Sequence, residues 1–258
     1  LITYLIFGII HCQQKALQTL NNRLKFKQFF NAILQQSCLL CASHDGGKHG
    51  LCSGCLQSLP WHIAPKCPQC GLPSDGLICG SCLNSAPSFD ATHALFSYDY
   101  PLDRLLQHYK YRESLHLADT FSALLMDSLP DADLNQQHNI DLIMPMPMHH
   151  ERLKQRGFNQ ALEVARLISK DSQIKLDYAS CQRIKLTPPQ ASLPHKERIK
   201  NIRGAFQCNK SLQGLSIALV DDVMTTGASL NELAKTLKQA GAAHVECWVI
   251  ARTLPRSY

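Results

Sequence analysis

The stretch "ALVDDVMTTGASL", residues 218–230, runs from an apolar segment of strand length into two adjacent carboxylates and then into small hydroxylated residues and a glycine. A strand that only filled a core would need neither feature. The pattern predicts a strand over 215–220 and a helix over 230–240. Ser229 and Glu232 have the spacing of a capping box, Leu230, Leu233, Ala234 and Leu237 form a buried stripe, and Gly241 falls at the C′ position. In an open α/β sheet, ligands bind at the carboxyl ends of the strands, where this reading puts Asp221 and Asp222. A helix start preceded by Gly227, with Thr225, Thr226, Ala228 and Ser229 around it, offers N–H and O–H donors to one anion. The two carboxylates beside it suit the vicinal hydroxyls of a sugar. Together they describe a ribose 5-phosphate site; acids that merely cap a turn would explain only part of the run.

Outward from this stretch, the second half of the chain alternates strands with helices. Strands are expected at 91–99, 140–148 (stopped by prolines) and 244–253, and helices at 102–111, 114–129 and 159–169. That alternation argues for a doubly wound parallel sheet, an α/β fold, over 90–258. "NSAPSFD", 84–90, reads as its boundary.

The first half is different. Eight of the twelve cysteines form four C-x-x-C pairs, Cys38/Cys41, Cys52/Cys55, Cys67/Cys70 and Cys79/Cys82, separated by ten, eleven and eight residues. Two such pairs close a tetrahedral Cys₄ site, so the module at 38–84 is expected to hold two structural Zn²⁺ ions. Sequential sites are favoured over a crossed arrangement. Four pairs in a loop-rich module argue against redox chemistry of the thioredoxin type, and thiols kept as ligands point to a reducing, cytoplasmic compartment. His44, His49 and His62 nearby read as surface residues. Two zinc ions on eight thiolates would bring the formal charge of +6 down to about +2, so basicity matters by location rather than in total.

Residues 24–37 read as a lead-in helix, from the stripe in "LKFKQFFNAIL". Residues 1–23 are unassigned. Their apolar start, "LITYLIFGII", is shorter than the roughly 20 residues of a membrane span and lacks the marks of a secretory signal, so membrane insertion is not expected.

Four segments together resemble one family. The run at 218–230 looks like the phosphoribosyl pyrophosphate (PRPP) motif of type I phosphoribosyltransferases. "PMPMHHERLKQRGFNQA", 145–161, and "RIKLTPPQASLPHKERIKNIRGAF", 183–206, are similar to segments of the ComF/GntX family, and the cysteine module resembles its double zinc ribbon. The resemblance implies a phosphoribosyltransferase-like sheet that binds PRPP with Mg²⁺ through Asp221, Asp222 and 225–229. It places a pyrophosphate loop at Arg152 and Arg156, and a flexible loop carrying Arg183, Gln190, Arg198 and Asn201. Family members are associated with DNA uptake in natural transformation and with the use of DNA as a nutrient. Two readings follow. One is an enzyme that transfers a phosphoribosyl group, for which no residue identifies the nucleophile. The other is a non-enzymatic competence factor that keeps the PRPP fold and grips single-stranded DNA with its basic loops, alongside the uptake machinery. Tyr98, Tyr100, Tyr109 and Tyr111 could stack on bases or simply pack.

Overall fold

The computed structural model describes residues 37–47, 49–110, 115–129, 140–186 and 201–255. The chain divides into two compact units, residues 1–57 and 58–258. In the smaller, the described residues are turns around the first cysteine tetrad and one short helix, α1 (Ser53–Gln57).

The larger unit opens with the second ribbon and α2 (Gly80–Asn84), then builds the sheet. The described elements are β1 (Ala91–Ser97), α3 (Leu102–Tyr109), α4 (Leu117–Ser128), β2 (Leu142–Pro145), α5 (His150–Arg156), α6 (Gln160–Ser172), β3 (Lys175–Leu176), β4 (Cys181–Arg183), β5 (Phe206–Cys208), β6 (Ser216–Met224), α7 (Ala228–Gln239) and β7 (His244–Arg252). Five strands form one parallel sheet in the order β1-β7-β6-β2-β3. The strands at its centre read as near-continuous apolar runs because both faces are covered. On one face, Leu230, Leu233, Ala234 and Leu237 of α7 share a core with Leu142, Met144, Ile217, Leu219, Val245 and Val249. On α6, Val164, Ala165 and Ile168 are fully buried, and on α4 Phe121 is.

The strands and helices expected over residues 90–258 are all present, with shifted ends. The larger departure is at β6, which continues through the acid pair to Met224 instead of ending at Val220. Its pairing with β2 stops at Val220–Pro145, whereas its pairing with β7 runs on to Met224–Arg252. Asp221 and Asp222 are therefore strand residues, held on one side and open on the other. The short strands β3, β4 and β5 were not foreseen. β4 and β5 make a separate antiparallel ribbon. The lead-in helix at 24–37 falls almost wholly outside the described residues.

Candidate functional site

Parallel sheets create a crevice where neighbouring strands send their connections in opposite directions. Here β2 leads through α6 to β3 on one side, and β6 leads through α7 to β7 on the other. The crevice lies past Pro145 and Val220, and Asp221 and Asp222 are the next residues of β6. Each carboxylate accepts from the following amide: Asp222 N donates to Asp221 Oδ1 (2.9 Å) and Val223 N to Asp222 Oδ1 (2.8 Å).

Successive strand residues face opposite sides, and the charges around the pair follow that rule. Burial, and then the neighbouring Asp222, push Asp221 well above the usual carboxylate range, while the Arg183 guanidinium pulls it back. Asp222 lies on the side of Tyr98, whose hydroxyl is pushed up by burial, Asp103 and Asp222. Arg183, at the end of β4, is itself pushed down by burial and by Arg152 of α5, and steadied by Asp221. Arg183, with Arg152 near it, thus faces a half-buried acid that resists ionisation, an arrangement that favours an anion beside the guanidiniums. Beside them, Pro145, Pro147, Leu153, Tyr178, Gln182 and Arg183 help line an open cleft of about 390 Å³.

The loop at 225–229 joins β6 to α7. Gly227 sits at the N-cap with φ +77°, and a Cβ there would come within 2.8 Å of Met224 Cε. The left-handed backbone favours glycine, and any Cβ would also require the Met224 methyl to move. No side chain at the N-cap bonds the first turn. The expected capping box is not formed: the helix starts at Ala228, so Ser229 is already inside it, and Glu232 Oε1 instead accepts from Gly204 N at 2.6 Å. Ala228 N donates to Thr226 Oγ1 (3.2 Å). Gly241, with φ +104°, follows the helix as expected.

The remaining expected positions divide. Arg156 is exposed and donates to Gln160 Oε1 (2.9 Å), which ties it to the start of α6. Asn201 is half-buried. Gln190 and Arg198 lie outside the described residues, as does Tyr111. Tyr109 is a core residue: fully buried, it donates to Gln160 O (2.8 Å) and packs edge-on against Phe121. Tyr100 is exposed.

One residue escaped the sequence reading. Arg252, at the end of β7, is 3% exposed and donates through Nε to Cys70 O (2.9 Å). Its Nη1 donates to Met224 O and Thr253 O (both 3.0 Å) and to Thr225 O. One guanidinium thus ties a knuckle of the second ribbon to the first residues of the loop at 225–229. No motif marks it, because an Arg ending an apolar strand reads as an ordinary exposed terminus.

The cysteines form two sequential tetrads, Cys38/Cys41/Cys52/Cys55 and Cys67/Cys70/Cys79/Cys82, with the ligand atoms of each within 4.8 Å of one another. Cys41 Sγ lies 3.7 Å from Cys52 Sγ, and Cys70 Sγ 3.7 Å from Cys79 Sγ. A tetrahedral Zn²⁺ with Zn–S near 2.3 Å has an edge of about 3.8 Å, so both tetrads fit the metal. Backbone amides point at the sulfurs, Cys55 N at Cys52 Sγ (3.4 Å) and Cys79 N at Cys67 Sγ (3.3 Å). The hydrogen bond with Ser43 brings Cys41 down to about 6. At Cys67 such bonds, from Cys79 first, outweigh burial and bring it to about 7.

The first tetrad belongs to the smaller unit and the second to the larger. The second ribbon is bound to β1: Thr92 N donates to Pro68 O (2.9 Å), Thr92 Oγ1 to Gln69 O (2.6 Å), and His62 N to Leu95 O (3.0 Å). His62 is not a surface histidine. It is buried, with Nε2 2.8 Å from Gly71 O and Nδ1 3.2 Å from Ser97 Oγ, and burial pushes its pKa down, so the neutral ring bridges the ribbon and the strand. Among the described residues, no helix is long and apolar enough to cross a membrane.

Comparison with known proteins agrees with this anatomy. The family model of the double zinc ribbon domain matches residues 29–83. Competence protein F of Haemophilus influenzae is 34% identical over 222 residues, covering 83% of this chain and 96% of that protein. The DNA utilization protein YhgH of Salmonella typhimurium is 31% identical, covering 84% and 97%. Competence protein ComFC of Bacillus subtilis is 27% identical, covering 78% and 82%. With tetrads, sheet and near full-length relatives in agreement, the chain belongs to the ComF/GntX family.

Proposed function

We propose that the crevice binds PRPP with Mg²⁺ and that the protein acts in the uptake or utilisation of DNA. The observation that carries the ligand reading is the placement of Asp221 and Asp222 at the carboxyl end of β6, beside the Gly227 turn and across from Arg183. The loop at 225–229 holds the 5-phosphate, the acid pair accepts from the ribose hydroxyls, and Arg152 and Arg183 receive the pyrophosphate. Mg²⁺ supplies further neutralisation of pyrophosphate charge. If a phosphoribosyl group is transferred, an acceptor nucleophile bonds C1 as the C1–O bond to pyrophosphate breaks toward those guanidiniums, which would stabilise the charge that develops on the leaving pyrophosphate. The role in DNA handling rests on relatives named for competence and DNA utilisation.

Calorimetry with PRPP and Mg²⁺ tests the ligand. The wild type should bind, and Asp221→Asn with Asp222→Asn should lose several kcal/mol, since each hydrogen bond to a charged group is worth roughly 1.5–3 kcal/mol. Equal affinity in the double variant would refute the ribose assignment. A second reading, a non-enzymatic grip on single-stranded DNA, draws support from the exposed cations Lys154, Lys185 and Arg203. On that reading, log affinity falls with log salt by about 0.7 per phosphate contact. A flat salt dependence would remove it.

A further inference from the structure

Three described cysteines stand outside the tetrads: Cys181, Cys208 and Cys247. Cys247 is sealed within β7. The other two face each other. In the β4–β5 ribbon Cys181 is the register partner of Cys208, and Arg183 that of Phe206. The ladder bonds Asn209 N to Ser180 O (2.9 Å) and Ile184 N to Ala205 O (2.8 Å) fall on the alternate rungs, so both pairs occupy non-hydrogen-bonded positions. There the Cα atoms of an antiparallel pair lie about 4.5 Å apart with side chains on one face, within the range that a disulfide spans. Both sulfurs lie on the apolar side of the ribbon, Cys181 buried and Cys208 half-buried against the same core.

We propose that Cys181 and Cys208 are a redox pair that closes into a cross-strand disulfide by exchange with a low-molecular-weight disulfide, fixing the ribbon that presents Arg183 to the crevice.

The chemistry has an order. Cys208 is the reachable thiol, its Sγ donating to Lys210 O at 3.4 Å. Its thiolate attacks one sulfur of the small disulfide, forming a mixed disulfide and releasing one small thiolate. Cys181 then loses its proton and attacks Cys208 Sγ, releasing the second. Two protein thiols are oxidised and one small disulfide is reduced to two thiols, so atoms and electrons balance. Burial pushes the Cys181 thiol up, with Cys208 and Asp177 adding to the effect, which suits the second role and not the first. A two-stranded ribbon is marginal alone, so a covalent rung changes its behaviour more than it would that of a central strand. The next non-hydrogen-bonded rung pairs Arg183 with Phe206, and the Arg183 guanidinium carbon lies 5.7 Å from the Phe206 ring centre.

The test uses the full chain with its zinc, equilibrated with glutathione disulfide and mapped by mass spectrometry after alkylation of free thiols. The expected product is a Cys181–Cys208 link, with zinc retained and the melting temperature raised by roughly 5–10 °C. Cys181→Ser should stop at a glutathione adduct on Cys208. Cys208→Ser should leave Cys181 unmodified, and Cys208→Ala repeats that result without a hydroxyl. A wild-type product that stays as an adduct on Cys208 with Cys181 free overturns the proposal. So does a link from either residue to a ribbon cysteine, or no reaction at either position.

Discussion

Replacing Arg252 by methionine keeps an unbranched apolar stem but shortens the side chain, and removes the three N–H groups that engage Cys70 O, Met224 O, Thr225 O and Thr253 O. Hydrogen bonds to a charged donor are worth roughly 1.5–3 kcal/mol each, so three donors give a gross loss of about 4.5–9 kcal/mol. Against this, burying a guanidinium costs several kcal/mol, which the variant recovers. The net loss should be about 3 kcal/mol, or a fall in melting temperature of roughly 6–12 °C for a chain of this size. The effect should also be local. Because Cys70 is a ligand of the second tetrad only, zinc transfer to a chromogenic chelator should accelerate for one of two equivalents and stay unchanged for the other. Arg252→Lys keeps the charge but not the fork, and should fall between methionine and wild type. Urea unfolding gives the stability and the chelator assay gives the locality. A loss under about 1 kcal/mol, or equal acceleration of both zinc ions, would refute the reasoning.

Gly227→Ala should cost about 1–2 kcal/mol from the left-handed backbone alone, and more if Met224 cannot move aside, as read by urea unfolding. Elemental analysis of protein purified without chelator should return two zinc per chain, and Cys41→Ser with Cys52→Ser should return one. Burial alone would raise Glu246, but hydrogen bonds from His93, Trp248 and His244 outweigh it and hold the carboxylate at about 2, against 4.5 for the free group. A depressed carboxylate contributes stability that is present above its unfolded pKa and lost as pH falls through the folded one. Glu246→Gln should therefore remove about 3 kcal/mol of acid-sensitive stability between pH 4.5 and 2, measured by unfolding across that range.

The features legible in the sequence were those with length or spacing behind them. Nine consecutive residues of β7, or the periodic stripe of α7, leave a signature that survives averaging. Four C-x-x-C pairs with short gaps allow few arrangements, and the favoured sequential one is what forms. The short strands β3 to β5 have two or three residues each, too few for a period of two to show, so the ribbon carrying Arg183 could not be seen. The capping box failed because tertiary contact outbid a local motif: Gly204, distant in sequence, supplies the N–H that Glu232 accepts. His62 and Arg252 failed for a common reason. A single polar residue among turns or at a strand end looks exposed until the segment that buries it is known, and both are buried where the ribbon folds against the sheet.

The acids of the sheet also fix the order in which the chain sheds its charges. Asp221, at the carboxyl end of β6, takes up a proton early as pH falls, while Glu246, near the amino end of β7, keeps its charge to about 2. Neutralising Asp221 relieves a strained ionisation, so acid first steadies the fold at that site, and Asp221→Asn should do the same at any pH where the wild-type carboxylate is charged. Between the two titrations lies a range in which the chain is folded but its crevice has lost a negative charge. An acid titration followed by ligand binding and by unfolding should thus show two separate losses, the crevice before the scaffold, because the sheet holds its reluctant acid at one end and its steadfast one at the other.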